Sequence, residues 1–271
     1  MKKILIRTIK ILIVAYVIVC IILFLFQEKL IFFPEKLDKN FKFYFDQKFR
    51  EINIKAKDGN ILNGVLFSAD SAKGLIFYLH GNAGSLNTWG EVAKRYTELH
   101  YDVFMLDYRG YGKSEGSIHS EKQFQEDIQI AYDEMKRMYD EGRIIVLGYS
   151  LGTGAAAYLA STNRPALLIL QAPYYCLTDI MRHAYPVIPT FLLKYKFDTY
   201  QYLKECTMPI TMFHGNKDEV VNYSSSIKLN QFLKRTDTLI ILNGQGHNGI
   251  TDNPQYVNAI TKILNSSSSR K

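Results

Sequence analysis

Residues 143–160 read RIIVLGYSLGTGAAAYLA, and this stretch decides the fold. A short apolar run, RIIVLG at 143–148, passes through Gly148-Tyr149-Ser150-Leu151-Gly152 into the small-residue run LGTGAAAYLA at 151–160. That is the pattern of a strand turning at once into a helix, with a serine held exposed and strained on the turn. Glycine at 148 and 152 leaves room where a side chain would meet neighbouring backbone. Ser150 would then sit at the carboxyl edge of a sheet, with the amide of Leu151 and the positive end of the helix aimed at a developing oxyanion. The same glycines permit a rival reading. Residues 152–157 satisfy G-x-G-x-x-A after a strand, which is a dinucleotide fingerprint. That motif wants an acid at the end of the next strand, whereas ALLILQAP ends in Gln171, Ala172 and Pro173, so the nucleophile reading is preferred.

Working outward, strands and helices alternate. EINIKAK, Asp58-Gly59 and NILNGVLFS read as a hairpin turned by D-G. GLIFYLH (74–80) is a buried strand, 86–100 contains a helix, and YDVFMLDY (101–108) is the next strand. Ser120-x-x-Gln123 is a capping box opening a helix that carries Phe124, Ile128, Ala131, Met135 and Met138 on one face. After ALLILQ and a break of some 35 residues, PITMFH (209–214), a helix over 223–234, TLIILN (238–243) and a helix opened by Asn253-Pro254 complete the pattern. Continuous apolar strands alternating with helices predict an α/β fold with a mostly parallel central sheet covered on both faces. The tail NSSSSRK (265–271) reads as disordered.

The net charge of +7 is mostly a property of the amino terminus, where Lys2, Lys3, Arg7 and Lys10 precede any acid. That placement argues for membrane orientation and against a nucleic-acid partner. Residues 11–26 are sixteen consecutive apolar positions, extended by Ile9 and by Leu30 to Phe33. From Ile21 to Lys55 no Ala, Gly or Ser offers a signal-peptidase site, so 1–33 is expected to be an uncleaved single-pass anchor. Positive charge on its amino side places the amino terminus in the cytoplasm and residues 34–271 on the non-cytoplasmic side. The aromatic-rich stretch 27–50 is expected to pack on the domain rather than lie at the headgroups. Cys176 and Cys206 could bridge in an oxidising compartment, but two unpaired thiols are favoured. No metal-spaced cluster and no cofactor motif is present; Gly112-Lys113-Ser114 lacks the upstream glycine of a phosphate loop, because Asp107 stands there.

A serine hydroxyl needs a base, and the base needs an orienting acid. Of six histidines only His247, in GQGHNG, follows the last strand on a loop able to reach Ser150. Asp218, first acid after PITMF, is the expected orienter, with Glu219 its competitor and Asp198 a distant third. His80-Gly81-Asn82-Ala83-Gly84 follows the first central strand and can supply an oxyanion donor beside Leu151, the amide of Asn82 with Ala83 close behind. DYRGYGKSEG (107–116) reads as a structural loop beside the site. No proposed catalytic residue precedes Asn82, so a chain starting near residue 35 is expected to be more soluble and to keep its turnover on water-soluble esters.

HGNAG, DYRGYGKSEG, GYSLG, HGNKDEVV and GQGHN, in this order, resemble the α/β-hydrolase superfamily over residues 51–265. With the anchor and the LIFFP after it, the chain is most similar to membrane-anchored, small-capped serine hydrolases that include bud-emergence-type proteins and protein depalmitoylases. The resemblance implies the α/β-hydrolase fold and Ser150, Asp218 and His247 as a triad. Asn222 departs from it, where many relatives carry proline. The break at about 174–206 is where such folds insert a lid; its apolar Tyr185, Val187, Ile188 and Phe191 suit either a helix packed on the sheet or an acyl-binding wall. Hydrolysis of an acyl ester, thioester or lipid-like substrate at a membrane is expected, with a peptidase or a silent membrane-tethered binding protein as alternatives.

Overall fold

The Asp58-Gly59 turn folds the chain back on itself, Gly59 at φ +90°, and starts a sheet of eight strands. The structure is a computed structural model and describes residues 1–267. In chain order it runs α1 (Lys2–Ile31), β1 (Phe33–Pro34), β2 (Phe49–Lys55), β3 (Ile61–Phe67), β4 (Leu75–Leu79) and β5 (Ala83–Gly84). There follow α2 (Leu86–Trp89), α3 (Lys94–Thr97), β6 (Asp102–Leu106), α4 (Glu121–Lys136), β7 (Ile144–Tyr149) and α5 (Leu151–Thr162). Last come β8 (Leu167–Gln171), α6 (Leu177–Ala184), α7 (Thr199–Glu205), β9 (Ile210–Gly215), α8 (Ser224–Leu229), β10 (Thr238–Leu242) and α9 (Pro254–Ser267).

The sheet order is β10-β9-β8-β7-β4-β6-β3-β2, parallel from β10 to β6 and antiparallel at β6–β3 and β3–β2. Every residue of β4, β7, β8 and β9 is buried, as continuous apolar strands covered on both faces require. One face packs Phe77, Phe104 and Val146 against Tyr132 and Met135 of α4 and Ala156 of α5. The other packs Tyr78, Ile145 and Phe213 against Tyr96 of α3 and Tyr256 and Ile260 of α9. The sheet's carboxyl edge thus receives the loops after β4, β7, β9 and β10 side by side.

Several elements differ in detail from expectation. The helix over 86–100 is broken into α2, a 3-10 turn at Gly90–Ala93, and α3. The tightening falls where Phe45 lies on Gly90, against whose ring any Cβ would collide. At α4 the Ser120 hydroxyl accepts from Gln123 N at 3.1 Å, but Gln123 reaches back to His119 N rather than to Ser120 N, closing a box one residue wider. Met138 lies beyond α4 and is exposed. The helix over 223–234 shortens to α8 and a 3-10 turn at Asn230–Phe232. The expected disordered tail begins too early, since α9 continues through Ser267; residues 268–271 lie outside the described residues. Phe32, Phe43 and Phe45 are buried, so much of 27–50 does pack on the domain, although Phe33 and Tyr44 stay exposed. Cys176 and Cys206 are both free and buried.

The loop after β6 is held by a buried cation. Arg109 donates from Nε and Nη2 to Asp127 at 2.5 and 3.0 Å and from Nη1 and Nη2 to Asp58 at 2.6 and 3.0 Å. It thereby ties α4 to the β2–β3 turn. Arg109→Met would strand the Asp127 carboxylate in the interior, at a cost of about 3–5 kcal/mol. Chemical denaturation of parent and variant measures it, and a loss below about 1 kcal/mol would assign the bridge to the surface class instead.

Candidate active site

The turn from β7 into α5 places Ser150 at φ 51°, ψ −116°, a conformation L-residues rarely adopt. Packing imposes it. A Cβ at Gly148 would collide with the Gly152 carbonyl, and one at Gly152 with the Leu79 carbonyl of β4, so neither glycine can be replaced without moving backbone. Ser150 N donates to Gln171 O at 2.9 Å, and Thr153 Oγ1 donates to Ser150 O at 2.6 Å, fixing the turn from both sides.

His247 Nε2 lies 3.0 Å from Ser150 Oγ, and its Nδ1 lies 2.7 Å from Asp218 Oδ2. The three residues come from the ends of β7, β9 and β10, brought together across 97 and 29 positions of sequence. Asp218 Oδ1 accepts from Val220 N and Val221 N at 2.9 and 2.8 Å. Burial pushes the Asp218 pKa up, but the bonds from His214 and His247, the His247 charge and the Val221 amide outweigh it, leaving the carboxyl below the usual range. The His247 Nδ1 bond goes to Asp218; Glu219 is exposed, and Asp198 stands at the N-cap position of α7 with no side-chain cap bond.

Three supports were not legible in the sequence. His214, at the end of β9, donates from Nε2 to Val221 O at 2.8 Å and stands 3.2 Å from Asp218 Oδ2, holding the acid from behind. Its spacing of four residues from Asp218, both at a strand end, was the available signal. Tyr149, the first variable residue of G-x-S-x-G, donates its hydroxyl to the His247 carbonyl and so pins the His247 loop. Lys217 N donates to Gln245 O at 2.9 Å, joining the acid loop to the base loop.

Asn82 and Leu151 both line the cavity above Ser150. Tyr111 OH donates to Asn82 O at 2.6 Å, while β1 pairs in parallel with β5, Phe33 opposite Ala83 and Pro34 opposite Gly84. Phe33 N also donates to Asn82 Oδ1 at 3.3 Å. The segment leaving α1 therefore frames the HGNAG loop. The cavity, 710 Å³, is walled by Leu177, Ile180 and Ile188 of the 174–206 insertion and by Leu23, Phe24, Gln27 and Ile31 of α1. The amino-terminal helix thus contributes one wall of the cavity beside Ser150. Of the insertion's apolar residues, Tyr185, Ile188, Leu192 and Leu193 line the cavity while Val187 and Phe191 are exposed; none lies on a helix packed against the sheet, and α7 packs on α5. Among the described residues no cluster of three His, Cys, Asp or Glu side chains is placed to hold a metal ion.

Beneath the HGNAG loop lies a second buried pair. His80 Nε2 stands 3.8 Å from Asp107 Oδ1, both side chains fully buried. Burial pushes the His80 imidazole down to about 4 and the Asp107 carboxyl up to about 8, the Leu86 amide opposing the latter. Despite the distance the two are not an ion pair between those values, because each is neutral there.

The family model described as serine aminopeptidase, S33 matches residues 70–201. That range includes Ser150 and HGNAG and stops before Asp218 and His247. Alpha/beta hydrolase domain-containing protein 17B of Xenopus laevis is 30% identical over 200 residues, covering 72% of this chain and 67% of that one. The Homo sapiens protein of the same name is 28% identical over 200 residues, with the same coverage, 72% and 67%. Among solved structures, an esterase of Pyrococcus furiosus superposes with a TM-score of 0.70 at 18% identity, covering 87% of this chain and 97% of its own.

The His80–Asp107 pair makes stability depend on pH. Asp107 keeps, up to about 8, a proton that the unfolded chain loses near 4, so its contribution falls as pH rises across that window. His80 acts oppositely: the unfolded chain binds a proton below about 6.5 that the folded chain refuses until about 4, so stability rises over that narrower span. The two offset each other at first, and a net fall remains towards pH 8. Asp107→Asn removes the falling component, so its Tm relative to the parent should climb from pH 5 to pH 8 and then level. A difference independent of pH would show that Asp107 is ionised in the folded protein.

Proposed function

The chain belongs to the α/β-hydrolase superfamily and is a hydrolase, and we propose that it is a membrane-anchored serine hydrolase cleaving acyl esters or thioesters. The observation that carries this reading is the Asp218–His247–Ser150 relay, at 2.7 and 3.0 Å, on the floor of a largely apolar cavity.

In the mechanism, Ser150 Oγ attacks the acyl carbonyl while His247 Nε2 takes its proton, and Asp218 holds the Nδ1–H side and the developing imidazolium charge. The oxyanion turns towards the amides of Leu151 and Asn82. Collapse expels an alcohol or thiol, which takes the proton from His247, and water then cleaves the acyl-enzyme through the same base. Among the described residues lining the cavity there is no Asp, Glu, Lys or Arg. An amino-terminal peptide substrate would bring a charged ammonium with nothing to pair it, whereas an acyl chain meets Leu23, Leu177, Ile180 and Ile188. This favours hydrolysis of acyl esters or thioesters over the aminopeptidase activity after which the matched family is described.

Lys2–Ile31 is long and apolar enough to cross a membrane. Cleavage as a signal would remove a wall of the cavity, which supports a retained anchor. Lys2, Lys3, Arg7 and Lys10 set its amino end in the cytoplasm and the catalytic domain, from about residue 34, on the other side.

Ser150→Ala and His247→Ala should each lower kcat by about 10⁴- to 10⁶-fold, with the double variant little worse, because the groups act as a unit. Asp218→Asn should cost about 10⁴-fold and Glu219→Gln little; the opposite ranking would move the acid by one residue. A fluorophosphonate should label the parent and not Ser150→Ala. No labelling would promote a silent binding protein, and faster cleavage of a peptide amide than of matched p-nitrophenyl esters and thioesters would promote a peptidase.

A further inference from the structure

An acyl chain that begins in a bilayer has to reach Ser150, and α1 carries the path. In its apolar stretch and final turns the partly or fully covered residues are Cys20, Leu23, Gln27, Glu28 and Ile31. Cys20, Leu23, Gln27 and Ile31, spaced by three and four, form one helical stripe. It faces the 185–194 segment of the insertion, to which α1 is bonded at two depths. At the top, Gln27 Nε2 donates to Leu192 O at 3.2 Å, Lys194 N donates to Gln27 Oε1 at 2.8 Å, and Lys194 Nζ lies 3.1 Å from Glu28 Oε1. Lower down, Tyr16 OH donates to Val187 O at 2.6 Å. Gln27 and Tyr16 are eleven residues apart, about 16 Å along the helix at 1.5 Å per residue. That is roughly half a hydrocarbon core of about 30 Å.

The segment therefore descends beside the anchor to the depth of its apolar run. Its composition suits that position. Val187 and Phe191 are 73% and 82% exposed, which is costly against water and favourable against lipid. Pro186 and Pro189 lack the N–H groups that would be stranded there, and Tyr16 satisfies the carbonyl of Val187. Alongside runs a second groove of 390 Å³, between Val17, Cys20 and Ile21 on the helix and Pro189 and Phe191 opposite. Phe24 and Leu192 line both this groove and the catalytic cavity.

We infer that the two are one conduit: a membrane-resident acyl ester or thioester enters sideways from the bilayer between α1 and the insertion, and its unbranched chain lies past Phe24 and Leu192 with the carbonyl at Ser150. This rests on the serine-hydrolase reading above. The groove admits a chain and not a headgroup, because among the described residues lining it the only polar side chains are the Tyr16 hydroxyl, already bonded to Val187 O, and the Cys20 thiol. The anchor is then a specificity-determining wall of the site.

The test uses the full-length protein in phosphatidylcholine vesicles and compares kcat/KM for a vesicle-embedded hexadecanoyl ester with that for a water-soluble acetate ester. Val17→Trp and Cys20→Trp should lower the hexadecanoyl-to-acetate ratio by about tenfold or more, and Val19→Trp, off the groove, should not. Alkylation of Cys20 after folding, by a bilayer-soluble maleimide, should lower the same ratio in the parent and leave Cys20→Ser unaffected. A ratio unchanged in the tryptophan variants and in the alkylated protein would overturn the conduit. Acetate hydrolysis persisting in Ser150→Ala would instead remove the serine-hydrolase reading beneath it, so the two failures are distinguishable.

Discussion

Ser150 can stand where it does because β7 has no room to do anything else. Gly148 and Gly152 pass so close to the Gly152 and Leu79 carbonyls that the chain must reverse within one residue, and Ser150 takes a strained φ of 51° as a result. Strain of this kind costs of order 1–3 kcal/mol and persists only when the surroundings over-determine it. Here β4 and β8 on either side, the Ser150–Gln171 backbone bond and the buried start of α5 supply that determination. The loops after β4, β9 and β10 then need only rise from the same sheet edge to arrive beside the hydroxyl.

Reach is the second constraint. His247 sits on a glycine-bounded loop braced by Gln245, whose Nε2 donates to Gly246 O and Asn248 O, and by neighbours: Tyr149 beneath its carbonyl, Asp218 at Nδ1, and Lys217 bonded to Gln245. Asp218 depends in turn on His214 and two amides. The Asp218–His247–Ser150 arrangement is thus held by bonds to neighbouring side chains and backbone, of which the fully buried His214 lies outside the cavity lining. On the open side, β1 pairs with the HGNAG loop and α1 leans over the cavity, so the amino-terminal segment completes walls that the sheet does not provide.

What the sequence made legible follows from range. The elbow, the D-G hairpin, the buried strands and the Ser120 cap are each written within a few residues, and local chemistry suffices to read them. Chain order on a parallel sheet carried Asp218 and His247 to the same edge as Ser150, because strand ends are the places that loops share. The supports were illegible for the opposite reason. His214, Tyr149 and Tyr111 look like ordinary core residues until their partners are known, and nothing in EKLIFFP announces a strand paired with residues some fifty positions on. An apolar run looks the same whether it faces lipid alone or closes a cavity. Gln27, bonded to the Leu192 carbonyl and the Lys194 amide, marks the face of α1 that has a protein partner.

The central claim is that Ser150 carries the acyl group. Mass spectrometry of the full-length protein, acid-quenched during turnover of a hexadecanoyl p-nitrophenyl ester, tests it directly. The account predicts a hexadecanoyl adduct on the peptide bearing Ser150, absent from Ser150→Ala. Turnover with the adduct on another residue, or at the parental rate in Ser150→Ala, would contradict it.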